Sequence, residues 1–125
     1  MPDQITVAVP TLGVGGLDAE RSGHFGHCET FTLIDTDGDT IGEVRVIENP
    51  PHVEGGCLAP VNLLASHNVN AILVAGMGAR PLAGFTSVGI DVYFENATPK
   101  VVDAVKLLLA GEVQVMDDRF TCGGH

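Results

Sequence analysis

The chain has 125 residues, 45% of them hydrophobic, which is enough to close one core and leaves no length for a second domain. Sixteen acidic against six basic residues give a formal charge of -10, a surface that repels phosphate backbones and anionic lipid, so neither nucleic acid nor membrane is an expected partner. No apolar run approaches the roughly 20 residues of a membrane span, the Met-Pro-Asp-Gln start has no basic-then-apolar leader, and the three cysteines include no CxxC unit. A cytoplasmic protein with reduced thiols is the expectation.

Apolar β-branched runs alternate with capped amphipathic stretches. Ile5 to Val9 reads as a buried strand that Pro10 ends. The next stretch, residues 11 to 27, holds Gly13, Gly15, Gly16, Gly23 and Gly26, too many for the interior of a regular element. It reads as a long loop, functional or mobile. Thr30 to Ile34 and Ile41 to Ile47 flank Asp37-Gly38, which supplies the positive φ of a hairpin turn. Leu58, Val61, Leu64 and Ala65 recur at helical spacing, predicting a helix over about 57–67 with Pro60 in its first turn. Ala71 to Ala75 is an unbroken apolar run of the central-strand kind, and Gly76-Met77-Gly78 turns it into a short helix bearing Leu82 and Phe85. A strand over Asp91 to Phe94 completes a βαβ unit. Thr98 as N-cap, Pro99 at the first helical position, the stripe Val101, Val102, Val105, Leu108 and Leu109, and Gly111 as terminator define a last helix. The pattern predicts an α/β fold in a single domain: a mixed sheet of about five strands, the first strand central, the hairpin strands to one side and helices on the faces. Ligands would then sit beyond the carboxyl ends of the strands, where the loop after Val9 meets the Gly76-Met77-Gly78 loop.

Every cysteine stands beside glycine, histidine or both: His24-Phe25-Gly26-His27-Cys28, Gly55-Gly56-Cys57 and the Cys122-Gly-Gly-His125 tail. Soft thiolates and imidazoles select zinc, copper(I) or iron-sulfur centres, and glycine lets backbone come close to an inorganic ligand. His24 and Cys28 can ligate metal, and an imidazole can also donate N-H to a sulfide. The competing reading is an ordinary loop whose Phe25 plugs the core and whose Cys28 is a small buried residue. Cys57 follows two glycines at a helix start, where free N-H groups favour a thiolate or another anion. Gly76-Met77-Gly78 can offer N-H groups in the same way, with Arg80 adding positive charge; a plain strand-to-helix turn would look identical. Cys122 and His125 pair sulfur with imidazole on a terminal tail, a ligand pair or merely a mobile end. His52 and His67 read as surface residues. Asp35-Thr-Asp37-Gly-Asp39 imitates a calcium loop but has Thr40 and Val46 where glycine and glutamate are needed. Gly76-x-Gly78 lacks the third glycine of a dinucleotide fingerprint.

Ser22-Gly-His24-Phe25-Gly26, Gly55-Gly-Cys57-Leu58, Ile72 to Leu82 with its Gly-Met-Gly-Ala-Arg-Pro core, Gly89-Ile-Asp-Val-Tyr93 and the Cys-Gly-Gly-His tail occur in that order. In this combination the chain resembles the nitrogenase iron-molybdenum cofactor biosynthesis family, the NifX-type domain, over nearly all its length. The resemblance implies a ribonuclease-H-like three-layer α/β/α fold over residues 1–120, with 121–125 as a flexible tail. It implies binding of a metal-sulfur cluster or its precursor, of iron-molybdenum or molybdenum-copper-sulfide type as in the orange proteins, without catalytic turnover. It makes His24 the foremost site residue and suggests cluster assembly proteins, acceptor proteins and MinD-like ATPases as partners of a monomer or weak dimer. Ile5 to Val9 carries none of the carboxylates with which nucleases of similar architecture hold magnesium. Two other readings compete: a mononuclear zinc or copper module using Cys28, Cys122 and His125, and a thiol enzyme with Cys28 as nucleophile and His24 or His27 as base.

Overall fold

The computed structural model describes residues 4–22, 29–38, 40–48, 59–75, 79–95 and 98–115. Along the chain these form β1 (Gln4–Thr11), β2 (Thr30–Asp37), β3 (Thr40–Glu48), α1 (Ala59–Ser66), β4 (Ala71–Val74), α2 (Ala79–Ser87), β5 (Asp91–Phe94), α3 (Val101–Leu109) and β6 (Gln114–Val115). The strands make one mixed sheet in the order β3-β2-β1-β4-β5-β6. Strands β1, β4 and β5 run parallel, while β2, β3 and β6 pair antiparallel to their neighbours. The first strand is central and the hairpin lies to one side, as the sequence pattern implies. The two-residue β6 is an addition to the five expected strands, too short to leave a periodic signal.

Alternation along the central strands divides the core in two. Ala8, Phe31, Leu33, Ile72 and Val74 face α1 and α2, packing against Val61, Leu64, Leu82 and Phe85. Val7, Val9, Ile34 and Leu73 face α3, packing against Val101, Ala104 and Val105. This is the three-layer α/β/α arrangement, and each large apolar side chain fully buried in it contributes about 1.5–3 kcal/mol. The hairpin turn has Gly38 at φ +62°, the conformation Asp37-Gly38 supplies. Gly111 ends α3 at φ +76°, with the N-H groups of Gly111 and Glu112 donating to the carbonyls of Leu108 and Leu107.

Three boundaries differ from expectation. β1 continues through Pro10 to Thr11, because pairing with β4 is confined to Val7 and Ala8 and no N-H is required from Pro10 on that side. The first helix, Ala59–Ser66 within the described residues, ends one residue before the expected 67. The last helix begins two residues late: Lys100 is its N-cap, without a side-chain cap bond. Thr98 does not cap it, since both its N-H and its hydroxyl donate to the Glu95 carboxylate at 3.0 and 2.8 Å. The first N-H groups of α3 go instead to the carbonyls of Ala19 and Leu17.

Candidate functional site

The parallel strands point their carboxyl ends toward one edge of the sheet. Register aligns Thr11 with Thr30, Thr30 with Glu48, and Val74 with Phe94. At this edge β2 begins and β1, β3, β4 and β5 end, so the segments 23–28, 49–58 and 76–78 all depart from it. Both feet of segment 23–28 are fixed to the end of β1: the Ser22 N-H donates to the Pro10 carbonyl at 2.8 Å, and the Glu29 N-H to the Thr11 carbonyl at 3.2 Å. Segment 49–58 leaves from Glu48, and segment 76–78 joins Ala75 to the start of α2 at Ala79.

Of the sequence-predicted site residues, Ser22 is described and is buried at the foot of its loop. Arg80 lies in the first turn of α2. His24, Phe25, Gly26, Cys28, Gly55, Gly56, Cys57, Gly76, Met77, Gly78, Cys122 and His125 lie outside the described residues, as do His27 and His52. Among the described residues no three His, Cys, Asp or Glu side chains converge to hold a metal ion.

Residues 12–22 form a loop, as their glycines suggest, and distant side chains hold it in place. Three threonine hydroxyls gather beneath them: Thr11 Oγ1 is 2.6 Å from Thr30 Oγ1 and 3.1 Å from Thr32 Oγ1. The Gly16 N-H donates to Thr32 Oγ1, the Thr30 hydroxyl to the Gly13 carbonyl, and the Gly13 N-H to Glu29 Oε1. Gly15, at φ +74°, is so close to β2 and β3 that a Cβ there would stand 2.9 Å from Thr32 Oγ1 and from Val46 Cγ1. Glycine is needed for this close approach as well as for the turn.

Arg21 and Glu95 then tie this strap to the end of β5. Their charged groups meet at 3.5 Å with both side chains only 6% exposed. Arg21 Nη2 also donates to the Thr98 carbonyl at 2.7 Å, and the Arg21 backbone N-H to the Pro99 carbonyl at 2.7 Å. Arg21 Nε is buried without a hydrogen-bond partner among the described residues. Sequence reading missed Arg21, Glu95 and the threonines. The one available signal was position, since Arg21 precedes Ser22 and Glu95 follows β5 at the carboxyl edge of the parallel strands.

An open cleft of about 560 Å³ lies at the other end of the sheet, lined by Thr6, Asp35, Asp37, Arg45, His67 and Asn68 among others. Two of its charges pair: Arg45 Nη2 donates to Asp35 Oδ1 at 2.8 Å, and the Thr6 hydroxyl donates to the same oxygen at 2.9 Å. His67 belongs to this cleft and is half-buried. The cleft is remote from the edge that bears the glycine- and cysteine-containing loops.

A family model described as dinitrogenase iron-molybdenum cofactor matches residues 4–111. An uncharacterized protein of Methanocaldococcus jannaschii is 34% identical over 95 residues, 74% of this chain and 80% of the relative. The apo form of the orange protein from Desulfovibrio gigas superposes with a TM-score of 0.78 at 23% identity, covering 89% of this chain and 92% of that one, a likeness of fold. A Thermotoga protein solved by NMR superposes with a TM-score of 0.74 at 25% identity over the same shares of the two chains.

Proposed function

Because the chain belongs to the dinitrogenase iron-molybdenum cofactor family, we propose that it binds and hands on a metal-sulfur cluster, or the anionic precursor of one, without turning over a substrate. One observation carries the reading. The roots of three separate glycine-bearing segments, two of them with a cysteine, lie on one edge of the sheet, with segment 23–28 fastened at both feet to β1. In an open α/β sheet this is the edge where ligands bind.

The donor set suits a sulfide-rich, anionic cargo. His24 supplies an imidazole ligand or an N-H donor to a sulfide, and Cys28 and Cys57 supply soft thiolates. Ser22, Gly26, Gly55, Gly56, Gly76 and Gly78 border the cargo with small groups, the glycines adding backbone N-H donors, and Phe25 and Met77 add apolar surface. Arg80 balances its negative charge in an otherwise acidic protein. Cys122 and His125 close over it from the tail. The metal is molybdenum with iron or with copper, and three dispersed cysteines favour reversible holding over a permanent four-cysteine centre. The partners are the proteins that assemble the cluster and those that accept it.

Anaerobic reconstitution tests the reading: iron with sulfide in one arm, tetrathiomolybdate with copper in the other, each followed by desalting, visible absorption and metal and sulfide analysis. The expected result is a retained charge-transfer band with stoichiometric sulfide, diminished in His24→Ala. Colourless protein holding only zinc or copper, without sulfide, contradicts it.

A further inference from the structure

Glu95 joins the roots of two of the proposed cargo loops, a role that goes beyond the carrier reading and rests on it. Its backbone N-H donates to the carbonyl of Val74 at 2.9 Å, next to Ala75, from which segment 76–78 departs. Its carboxylate accepts the Thr98 N-H and hydroxyl and faces the Arg21 guanidinium at 3.5 Å. Arg21 in turn precedes Ser22, the foot of segment 23–28, and its own N-H is held by Pro99. Glu95 therefore ties together the roots of two separate loops, one through its backbone N-H and the other through its carboxylate.

Stability alone is a weak reason for such a pair. Removing two charges from water largely offsets their attraction, and apolar side chains of similar volume would serve as well. A charge pair has directions and lengths that an apolar contact lacks. We infer that Glu95 and Arg21 are positioning residues that hold Ser22 and Ala75, the roots from which segments 23–28 and 76–78 depart, at a fixed spacing, and that retention of cargo depends on that spacing. They act through the roots they hold, as outer-shell groups act on metal ligands.

The test loads wild type, Glu95→Gln, Thr98→Val and the mid-helix core variant Val105→Ala with tetrathiomolybdate and copper. Loss of the visible band to excess chelator gives a release rate, and thermal unfolding of the unloaded proteins gives their stability. Glu95→Gln keeps the shape and removes the charge; its release is expected to be about 10- to 100-fold faster than wild type. Thr98→Val, which retains the ion pair and serves if Glu95→Gln does not fold, should show a smaller increase in the same direction. Val105→Ala should lower the melting temperature and leave release unchanged. Release from Glu95→Gln at the wild-type rate, or no faster than from Val105→Ala at equal loss of stability, overturns the positioning role while the carrier reading stands. Failure of wild type to retain any band overturns both.

Discussion

Arg21–Glu95 and Arg45–Asp35 are the same chemistry placed at opposite ends of one sheet. The second is the shorter, 2.8 Å against 3.5 Å, but its side chains are 41% and 40% exposed while those of the first are 6% exposed. Water screens the outer pair and holds each of its members nearly as well when the other is gone. The inner pair has no such substitute, so its geometry is enforced from both sides. The short contact borders an open polar cleft, and the long one stands at the edge of the sheet from which the segments that bear histidine and cysteine depart. Burial, more than distance, separates a device that organises a site from a pair that decorates a surface.

Removing one member from each pair breaks the comparison most sharply. Glu95→Ala leaves the Arg21 guanidinium buried and uncompensated and should lower stability by about 3–5 kcal/mol in urea or thermal unfolding. Next in size, Gly15→Ala forces a side chain into a positive-φ position and within 2.9 Å of Thr32 Oγ1 and Val46 Cγ1. We expect a loss of about 1–3 kcal/mol there. At the outer pair, Arg45→Ala should change stability by no more than about 1 kcal/mol, less as salt is raised. A loss from Arg45→Ala equal to that from Glu95→Ala would erase the distinction.

The smallest effect is one of pH. Burial first, and then the nearby Asp91 carboxylate, hold the Tyr93 phenol above its ordinary 10.0. The folded state thus keeps a proton that the unfolded state releases at lower pH. The resulting contribution is fully present below about pH 10 and is lost as pH rises through the folded value. Tyr93→Phe should therefore flatten the fall in melting temperature above pH 10 and change little at neutral pH.

The sheet was legible because its residues obey a local period. Ala71 to Val74 is apolar on both faces and became the buried β4, and Asp37-Gly38 announced the hairpin through the backbone it permits. The position of the site edge followed from strand polarity alone. Residues 12–22 were legible as a loop, but not what holds it, which is far away in sequence: Thr30 and Thr32 from β2, and Glu95 and Pro99 beyond β5. Glycine count reports local freedom and says nothing about distant hydroxyls that remove it. Thr98 misled for a related reason. It has the side chain of an N-cap, yet Glu95 offers it a charged acceptor three residues earlier, and a charge-assisted bond outcompetes the cap. The candidate ligands, thiol and imidazole beside glycine, were named from residue type alone and lie outside the described residues.

The most direct test of the account compares the two ends of the sheet in the loaded protein. Amide spectra of labelled protein, recorded before and after anaerobic loading with tetrathiomolybdate and copper, follow Thr11, Ser22, Thr30, Ala75 and Glu95 at one end and Thr6, Asp35, Arg45 and His67 at the other. The account predicts shifts or broadening confined to the first group. Perturbation centred on the second group, around the open cleft, would contradict it.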